Sequence, residues 1–461
     1  MHARSTIATA AVAVPPLLQH LDRRVPRYTS YPTAVQFGVD VSSLTYEHWL
    51  GSLPVEDQVS LYLHVPFCAE LCLYCGCHTT VARRYGPVEA YVELLEREIA
   101  LVARHLGVRR KAVHVHWGGG TPTMLAAADF ERIMRALRHI AAIGADCEVA
   151  IEIDPRTLRR ELVPVLADAG TSRASLGVQD FDQSVQRAVG RIQSFGQTAR
   201  AAEWLRHAGI ANINLDLMYG LPLQTVDSVS ATVRQALALE PDRVALFGYA
   251  HVPWLKKHQK LLPQDALPDS MERLAQQRAA AEVLGSAGYR PVGLDHFAKP
   301  SDLLATRQRE KRLHRNFQGY TTDEASTLIG FGTSAIGVLP QGYVQNAAST
   351  VAYREAIGSG VLATTRGREL TAEDRLRRAI IERLMCDLAV DLAEITAAHS
   401  RSPGDFAREL ANLAPFAAHG FLDISGASIT VAEHARPFVR NICAVFDAYH
   451  TDDATHFSRA L

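Results

Sequence analysis

Seven cysteines occur in the 461-residue chain, and four of them, Cys68, Cys72, Cys75 and Cys77, fall within ten residues. The other three, Cys147, Cys386 and Cys443, are scattered. A disulfide scaffold distributes its pairs, whereas an odd number of thiols, four of them clumped in a long chain, points to a metal centre in a reducing compartment. The spacing Cys68-x3-Cys72-x2-Cys75 lets three thiolates converge on one face of an iron–sulfur cube, for which soft sulfur is the fitting ligand. A [4Fe–4S] cube has four irons, so three protein ligands leave one iron open to an exogenous ligand. An open position marks a catalytic centre, by the logic that separates catalytic from structural zinc. The alternative is a structural zinc held by all four thiols, but zinc sites normally use two separated pairs at longer intervals.

Other residues carry weaker signals. Gly118-Gly119-Gly120-Thr121 follows a strand candidate, and glycines let a backbone approach a ligand closely. No Gly-Lys-Ser/Thr follows, so a phosphate loop is disfavoured, and a tight turn is the plain alternative. Glu152 lies in an otherwise apolar strand candidate; a carboxylate facing a barrel interior must be ion-paired or ligand-bound. His114 and His116 share one strand face, enough for half a metal site, and read as satisfied polar residues. Arg307, Arg309, Lys311, Arg312, His314 and Arg315 form a basic run that reads as a solvated helix face.

These residues are positioned by a regular alternation. Strand candidates fall at 59–65, 113–117, 149–153, 173–178, 213–218 and 243–249, with helical patterns at 88–106, 195–207 and 226–239 between them. Serial β-then-α units imply parallel strands joined by right-handed crossovers. The first unit lacks a dinucleotide-binding fingerprint, which favours a full or partial (β/α) barrel with its chemistry at the carboxyl ends of the strands. Residues 1–57 look irregular. Beyond 370 the pattern changes to helices at 371–388 and 403–419, a hairpin over 421–431 turning at Ser425-Gly426, and a closing helix over 432–449. The expected organisation is an extension (1–57), a barrel with its elaboration (58–370) and a mostly helical, winged-helix-like module (371–461).

Composition narrows the function classes. Lys and Arg number 48 against 49 Asp and Glu, a net charge of −1; nucleic-acid and anionic-membrane binders usually show a basic excess. No apolar stretch approaches the length of a membrane span. Residues 8–18 are mostly apolar, but Pro15 and Pro16 interrupt them and only Arg4 precedes, so no secretory signal is expected and a cytoplasmic location is.

The cysteine triplet at the end of a first strand resembles the signature of the radical S-adenosylmethionine (SAM) superfamily. The string at 62–77, YLHVPFCAELCLYCGC, is similar to one branch, the oxygen-independent coproporphyrinogen III oxidases. The similarity continues through 116–123 (HWGGGTPT), 151–155 (IEIDP), 177–181 (GVQDF), 216–222 (DLMYGLP), 249–251 (YAH), 295–298 (DHFA), 314–320 (HRNFQGY) and 440–443 (RNIC), nearly the whole chain.

The resemblance implies an α/β fold built on a partial (β/α)6 barrel. It implies a [4Fe–4S] cluster on Cys68, Cys72 and Cys75, with Cys77 outside the ligand set, and two molecules of SAM. The first SAM would lie along Tyr62, Gly119, Glu152 and Ile336. The second would lie along Tyr74, Gly120, Thr121, Gln179, Arg191, Asp216 and Ala250, with Arg191 holding its carboxylate through a bidentate fork and Asp216 accepting from its polar groups. The implied chemistry starts when the reduced cluster cleaves SAM to a 5′-deoxyadenosyl radical, which takes a hydrogen from the β-carbon of a propionate. Loss of CO2 and of one electron leaves a vinyl group. Two rounds, on rings A and B, convert coproporphyrinogen III to protoporphyrinogen IX in anaerobic haem biosynthesis, with an external electron donor and acceptor. A monomer is implied. Arg24, Arg27 and the basic run are candidates to anchor the four propionates. The rivals are a haem-binding chaperone and another tetrapyrrole-modifying radical SAM enzyme. Chaperone relatives typically follow the third cysteine with Asp-Phe, whereas Gly76-Cys77 and 27–33 (RYTSYPT) favour the oxidase.

Overall fold

Strand β1 (Val59–Val65) is buried along almost its whole length, the pattern of a parallel strand covered on both faces. It begins a series in which helix α1 (Gly86–Leu106), β2 (Arg110–Gly119), α2 (Ala127–Ile140), β3 (Ala141–Ile153), α3 (Leu162–Asp168), β4 (Thr171–Gln179), α4 (Phe195–His207), β5 (Asn212–Tyr219), α5 (Val226–Leu237) and β6 (Arg243–Gly248) follow in order. A computed structural model describes residues 21–451 and 457–460; the apolar run at 8–18 lies outside them. Each of β1 to β6 pairs in parallel with the next, and Leu61, Val115 and Val149 stand in register. The barrel core forms from Leu61, Leu63, Val115, Trp117, Ile151 and Leu176, packed under the helices.

All six expected strands are present and form the partial (β/α)6 barrel. Two start well before the sequence pattern suggested: β2 at Arg110 and β3 at Ala141. The early part of β3 contains Gly144 and Asp146, poor strand formers that hide it. Helix α4 starts with a Ser194/Gln197 capping box and α5 with a Thr225/Ser228 box, and α4 stops where Gly209 takes φ +91°.

Helix α6 (Ser270–Ser286) leads to β7 (Arg290–Val292) and β8 (His296–Ala298), which extend the sheet: β8 pairs antiparallel with β6, and β7 pairs antiparallel with β8. At the other edge β9 (Thr327–Phe331) adds a further parallel strand beside β1, followed by antiparallel β10 (Ile336–Leu339), β11 (Gly342–Asn346) and β12 (Thr364–Glu369). The sheet order is β12-β11-β10-β9-β1-β2-β3-β4-β5-β6-β8-β7.

The amino-terminal segment is more regular than expected. Ser43–Gly51 is a helix, opened by a Ser42/Thr45 capping box, that buries Tyr46, Trp49 and Leu50. Tyr28 and Tyr31 pack into the core of the carboxyl-terminal module. That module has helix Ala372–Asp387, capped by Thr371 and Asp374, and helix Ala407–Ala418 behind a 3-10 turn at Pro403–Phe406. Its hairpin, Leu422–Ser425 against Ser428–Val431, gains a third strand, Ala389–Asp391. The single closing helix expected over 432–449 is instead a 3-10 segment (Glu433–Phe438) and a short helix (Val439–Val445); Pro437 cannot donate in a helix interior.

Candidate active site

The thiols sit on the loop that leaves β1. The glycine run at the end of β2 lets that loop come close. A Cβ on Gly120 would lie 2.7 Å from the Phe67 carbonyl oxygen and 2.9 Å from Pro66, and one on Gly119, where φ is +116°, would meet the His64 ring at 2.8 Å. Glycine is required here by the approach of backbone to backbone. Thr121 then donates its hydroxyl to the Cys68 sulfur at 3.6 Å.

Two arginines reach the Cys72 sulfur, Arg156 through Nη2 and Arg191 through Nη1, each at 3.6 Å. Asp154 holds both: Arg156 Nη2 lies 2.7 Å from its Oδ2 and Arg191 Nη1 3.2 Å from the same oxygen. Burial raises the Asp154 pKa, but the Arg156 hydrogen bond and the two guanidinium charges reverse this and hold it below its ordinary value. Burial pushes the Cys68 thiol up to about 11, against the hydrogen bond from Thr121. Cys75 is pulled down to about 6, chiefly by a hydrogen bond from the Cys77 thiol, which is itself pushed well up by that bond. A turn after β6 pins the loop from outside: Lys256 Nζ donates to the Cys77 carbonyl (2.8 Å), His258 Nε2 meets the Cys75 carbonyl (2.8 Å) and Gln259 Nε2 donates to the Tyr74 carbonyl (3.0 Å).

The strand ends enclose two joined cavities. The larger, about 660 Å³, is lined by Cys68, Cys72, Cys75, Tyr74, Gly119, Gly120, Thr121, Glu152, Gln179, Arg191, Asp216 and Ala250. The smaller, about 420 Å³, contains Tyr62 and Ile336, which do not line the larger, and meets it at Gly119, Glu152 and Cys77. Tyr62 Oη contacts His64 Nδ1 at 3.0 Å. Glu152 accepts from the Gly119 amide (3.2 Å) and contacts His116 Nε2 (3.3 Å). Asp216 accepts from Ser175 Oγ (3.0 Å) and Asn214 Nδ2 (2.8 Å), and burial raises it to about 6. Gln179 sits at φ +70°, an uncommon backbone for a side-chain-bearing residue. The Ala250 carbonyl accepts from Gln259.

One profile, the radical SAM superfamily, matches residues 62–236, and a second, the HemN C-terminal domain, matches 370–438. The oxygen-independent coproporphyrinogen III oxidase of Bradyrhizobium diazoefficiens is 50% identical over 440 residues, 95% of this chain and 98% of its own. That of Paracoccus denitrificans is 42% identical over 437 residues, 94% and 96%. The chain belongs to the oxygen-independent coproporphyrinogen III oxidase family. A solved structure of the Escherichia coli coproporphyrinogen III oxidase, described as a radical SAM enzyme, superposes with a TM-score of 0.88 at 38% identity over 92% of this chain and 98% of that one.

As a radical SAM protein, this oxidase family member uses a [4Fe–4S] cluster and SAM. The residues present fit that pair: the three thiols face one cavity, cations and a hydroxyl point at their sulfurs, and a glycine-edged compartment adjoins them. Among the described residues no group of three or more His, Cys, Asp and Glu closes on a single metal ion, nor is any helix long and apolar enough to cross a membrane.

Three expectations need correction. The Arg191 fork is already engaged by Asp154 and by the Gly177 carbonyl (2.6 Å), leaving only Nε without a partner, so it is not a free bidentate clamp. The basic run is not uniformly solvated: the Arg315 side chain is only 6% exposed and stacks over Tyr320 at 4.4 Å. Arg24 lies over Trp254, outside both cavities, whereas Arg27 and Arg315 line the larger one. Sequence reasoning missed Arg156, just past the IEIDP motif, and the 256–259 turn, whose contacts span most of the barrel.

Proposed function

We propose that this protein carries out the oxygen-independent oxidative decarboxylation of the ring A and B propionates of coproporphyrinogen III, giving protoporphyrinogen IX in anaerobic haem biosynthesis. The observation that carries this reading is the convergence of Cys68, Cys72 and Cys75 on a cavity of about 660 Å³ at the strand ends, in a chain so similar along its length to oxidases of that activity.

Cys68, Cys72 and Cys75 would hold the cluster, and Cys77 would stay protonated beside Cys75. When bound, the cluster and SAM supply one-electron cleavage and a 5′-deoxyadenosyl radical. The residues assigned to the first SAM (Tyr62, Gly119, Glu152 and Ile336) all line the smaller cavity, and those assigned to the second (Tyr74, Gly120, Thr121, Gln179, Arg191, Asp216 and Ala250) all line the larger. This division supports two SAM molecules in separate compartments sharing the wall at Gly119 and Glu152. The Glu152 carboxylate, oriented by His116 and the Gly119 amide, faces both cavities and can accept from an ammonium group. Asp216, held by Ser175 and Asn214, presents an acceptor at the barrel centre. Arg156 and Arg191 place positive charge against the Cys72 sulfur, where the cluster would sit.

Electrons enter from an external donor and leave to an external acceptor; the protein acts as a monomer in the cytoplasm, a placement supported by seven free cysteines. The test is anaerobic reconstitution with SAM, a reductant, an electron acceptor and coproporphyrinogen III. Protoporphyrin after oxidation is the expected product. SAM cleavage without decarboxylation would indicate another tetrapyrrole, and haem binding with neither reaction would indicate a chaperone.

A further inference from the structure

Behind the larger cavity lies a recess of about 40 Å³ where cations outnumber acids. Arg27, Arg273, Arg315 and Arg440 face it, from the amino-terminal segment, α6, the 314–320 motif and the last helix. The recess and the larger cavity share Arg27, Gly248, Asp295 and Arg315. Among the described residues the one carboxylate in the wall is Asp295, which contacts His296 Nδ1 at 2.7 Å and lies 4.0 Å from Arg315 Nη1. At the rim Arg459 pairs with Asp22 at 2.9 Å. The remaining guanidinium bonds go to neutral carbonyls: Arg27 to Gly248 (2.9 Å), Arg273 to Tyr249 (2.8 Å), Arg315 to Arg27 (3.4 Å), and Arg440 to Val25, Arg459 and Ala460. Among the described residues Arg315 Nε and Nη1, Arg273 Nε and Arg440 Nε are buried without a hydrogen-bond partner. Burial and the neighbouring Arg27 charge pull Arg440 down to about 10.

Buried guanidinium groups short of counter-charge are costly unless an anion joins them. Their forked donors match a carboxylate. We propose that this recess binds a propionate carboxylate of the tetrapyrrole on a ring other than the one reacting, and so sets which propionate faces the thiol end of the cavity. This rests on the functional reading above. A SAM carboxylate has the same chemistry, and the test separates the two.

The test uses the cluster-loaded protein under anaerobic conditions, with coproporphyrin III, its tetramethyl ester and SAM as separate probes, in wild type, Arg315→Gln and Arg27→Gln. Arg27 is exposed to the cavity, so its variant preserves a folded protein even if the buried Arg315 change does not; circular dichroism and iron content check this. The expected result is a loss of about tenfold or more in affinity for the tetra-acid, with SAM and tetramethyl-ester affinities within about twofold of wild type. Unchanged tetra-acid affinity, or an equal loss on the ester, would overturn the proposal, as would a loss confined to SAM, which would give the recess to the SAM carboxylate. If wild type neither binds coproporphyrin III nor converts coproporphyrinogen III, the functional reading fails first. If wild type does both and the variants match it, only the recess assignment fails.

Discussion

Arg191 Nη1 lies 3.6 Å from the Cys72 sulfur while Asp154 holds the same nitrogen at 3.2 Å. The Cys72 sulfur therefore faces a cation that a half-buried carboxylate keeps in place. Arg191→Gln removes that charge without removing a thiol. The expected outcome is a reconstituted cluster with normal iron content and a more negative midpoint potential, because the more reduced, more negative state loses one of the two guanidinium charges that reach Cys72. A redox titration followed by electron paramagnetic resonance reads it; an unchanged potential would mean that Arg191 acts only on Asp154.

Cys72→Ser should lose iron, acid-labile sulfide and turnover together, whereas Cys77→Ala should keep the cluster. Cys77 donates to Cys75 and helps hold that thiol at about 6, so its removal should slow cluster loading near pH 7 rather than prevent it. Iron and sulfide analysis after anaerobic reconstitution separates these outcomes; complete loss in Cys77→Ala would make it a ligand.

Gly120→Ala places a methyl group 2.7 Å from the Phe67 carbonyl oxygen, a backbone atom that cannot rotate away. The expected cost is about 1–3 kcal/mol, read as a drop in Tm of a few degrees, together with weakened cluster retention because the thiol loop must move. An unshifted Tm would show that the loop tolerates the displacement.

Asp216 makes stability depend on pH. Its folded pKa is raised to about 6, first by burial, from the ordinary aspartate value of 3.8. Between roughly pH 4 and 6 the folded state therefore holds a proton that the unfolded state has released, and the group opposes folding increasingly as pH rises through that window. Asp216→Asn removes the effect. Denaturant unfolding of the cluster-free protein should find the variant equal to wild type near pH 4 and more stable by on the order of 2 kcal/mol above pH 6. A constant difference across the range would place the cause elsewhere.

The local parts of this site were readable from the sequence. The thiols and the Gly118-Gly119-Gly120 run are each confined to a few residues, so spacing alone revealed them, and serial β/α periodicity placed them at strand ends. Arg156, Arg191 and Asp154 were harder, because their meeting with Cys72 depends on β3 and β4 lying beside β1 and β2. Arg315 was misread for a different reason. A run of basic residues does not record which side chain turns inward, and here a ring, Tyr320, draws one guanidinium in. Helix Ser43–Gly51 carried its signal in Tyr46, Trp49 and Leu50, spaced three and four apart, but the Pro-, Ser- and Thr-rich residues before it obscured the start.

In the proposed reaction hydrogen leaves the β-carbon of a propionate to a radical made in this cavity. Coproporphyrinogen III deuterated at the propionate β-carbons tests it most directly, by mass analysis of the 5′-deoxyadenosine formed during anaerobic turnover. Deuterium in the nucleoside, with two molecules formed for each protoporphyrinogen IX, is the expected result. Unlabelled 5′-deoxyadenosine alongside full conversion would contradict it.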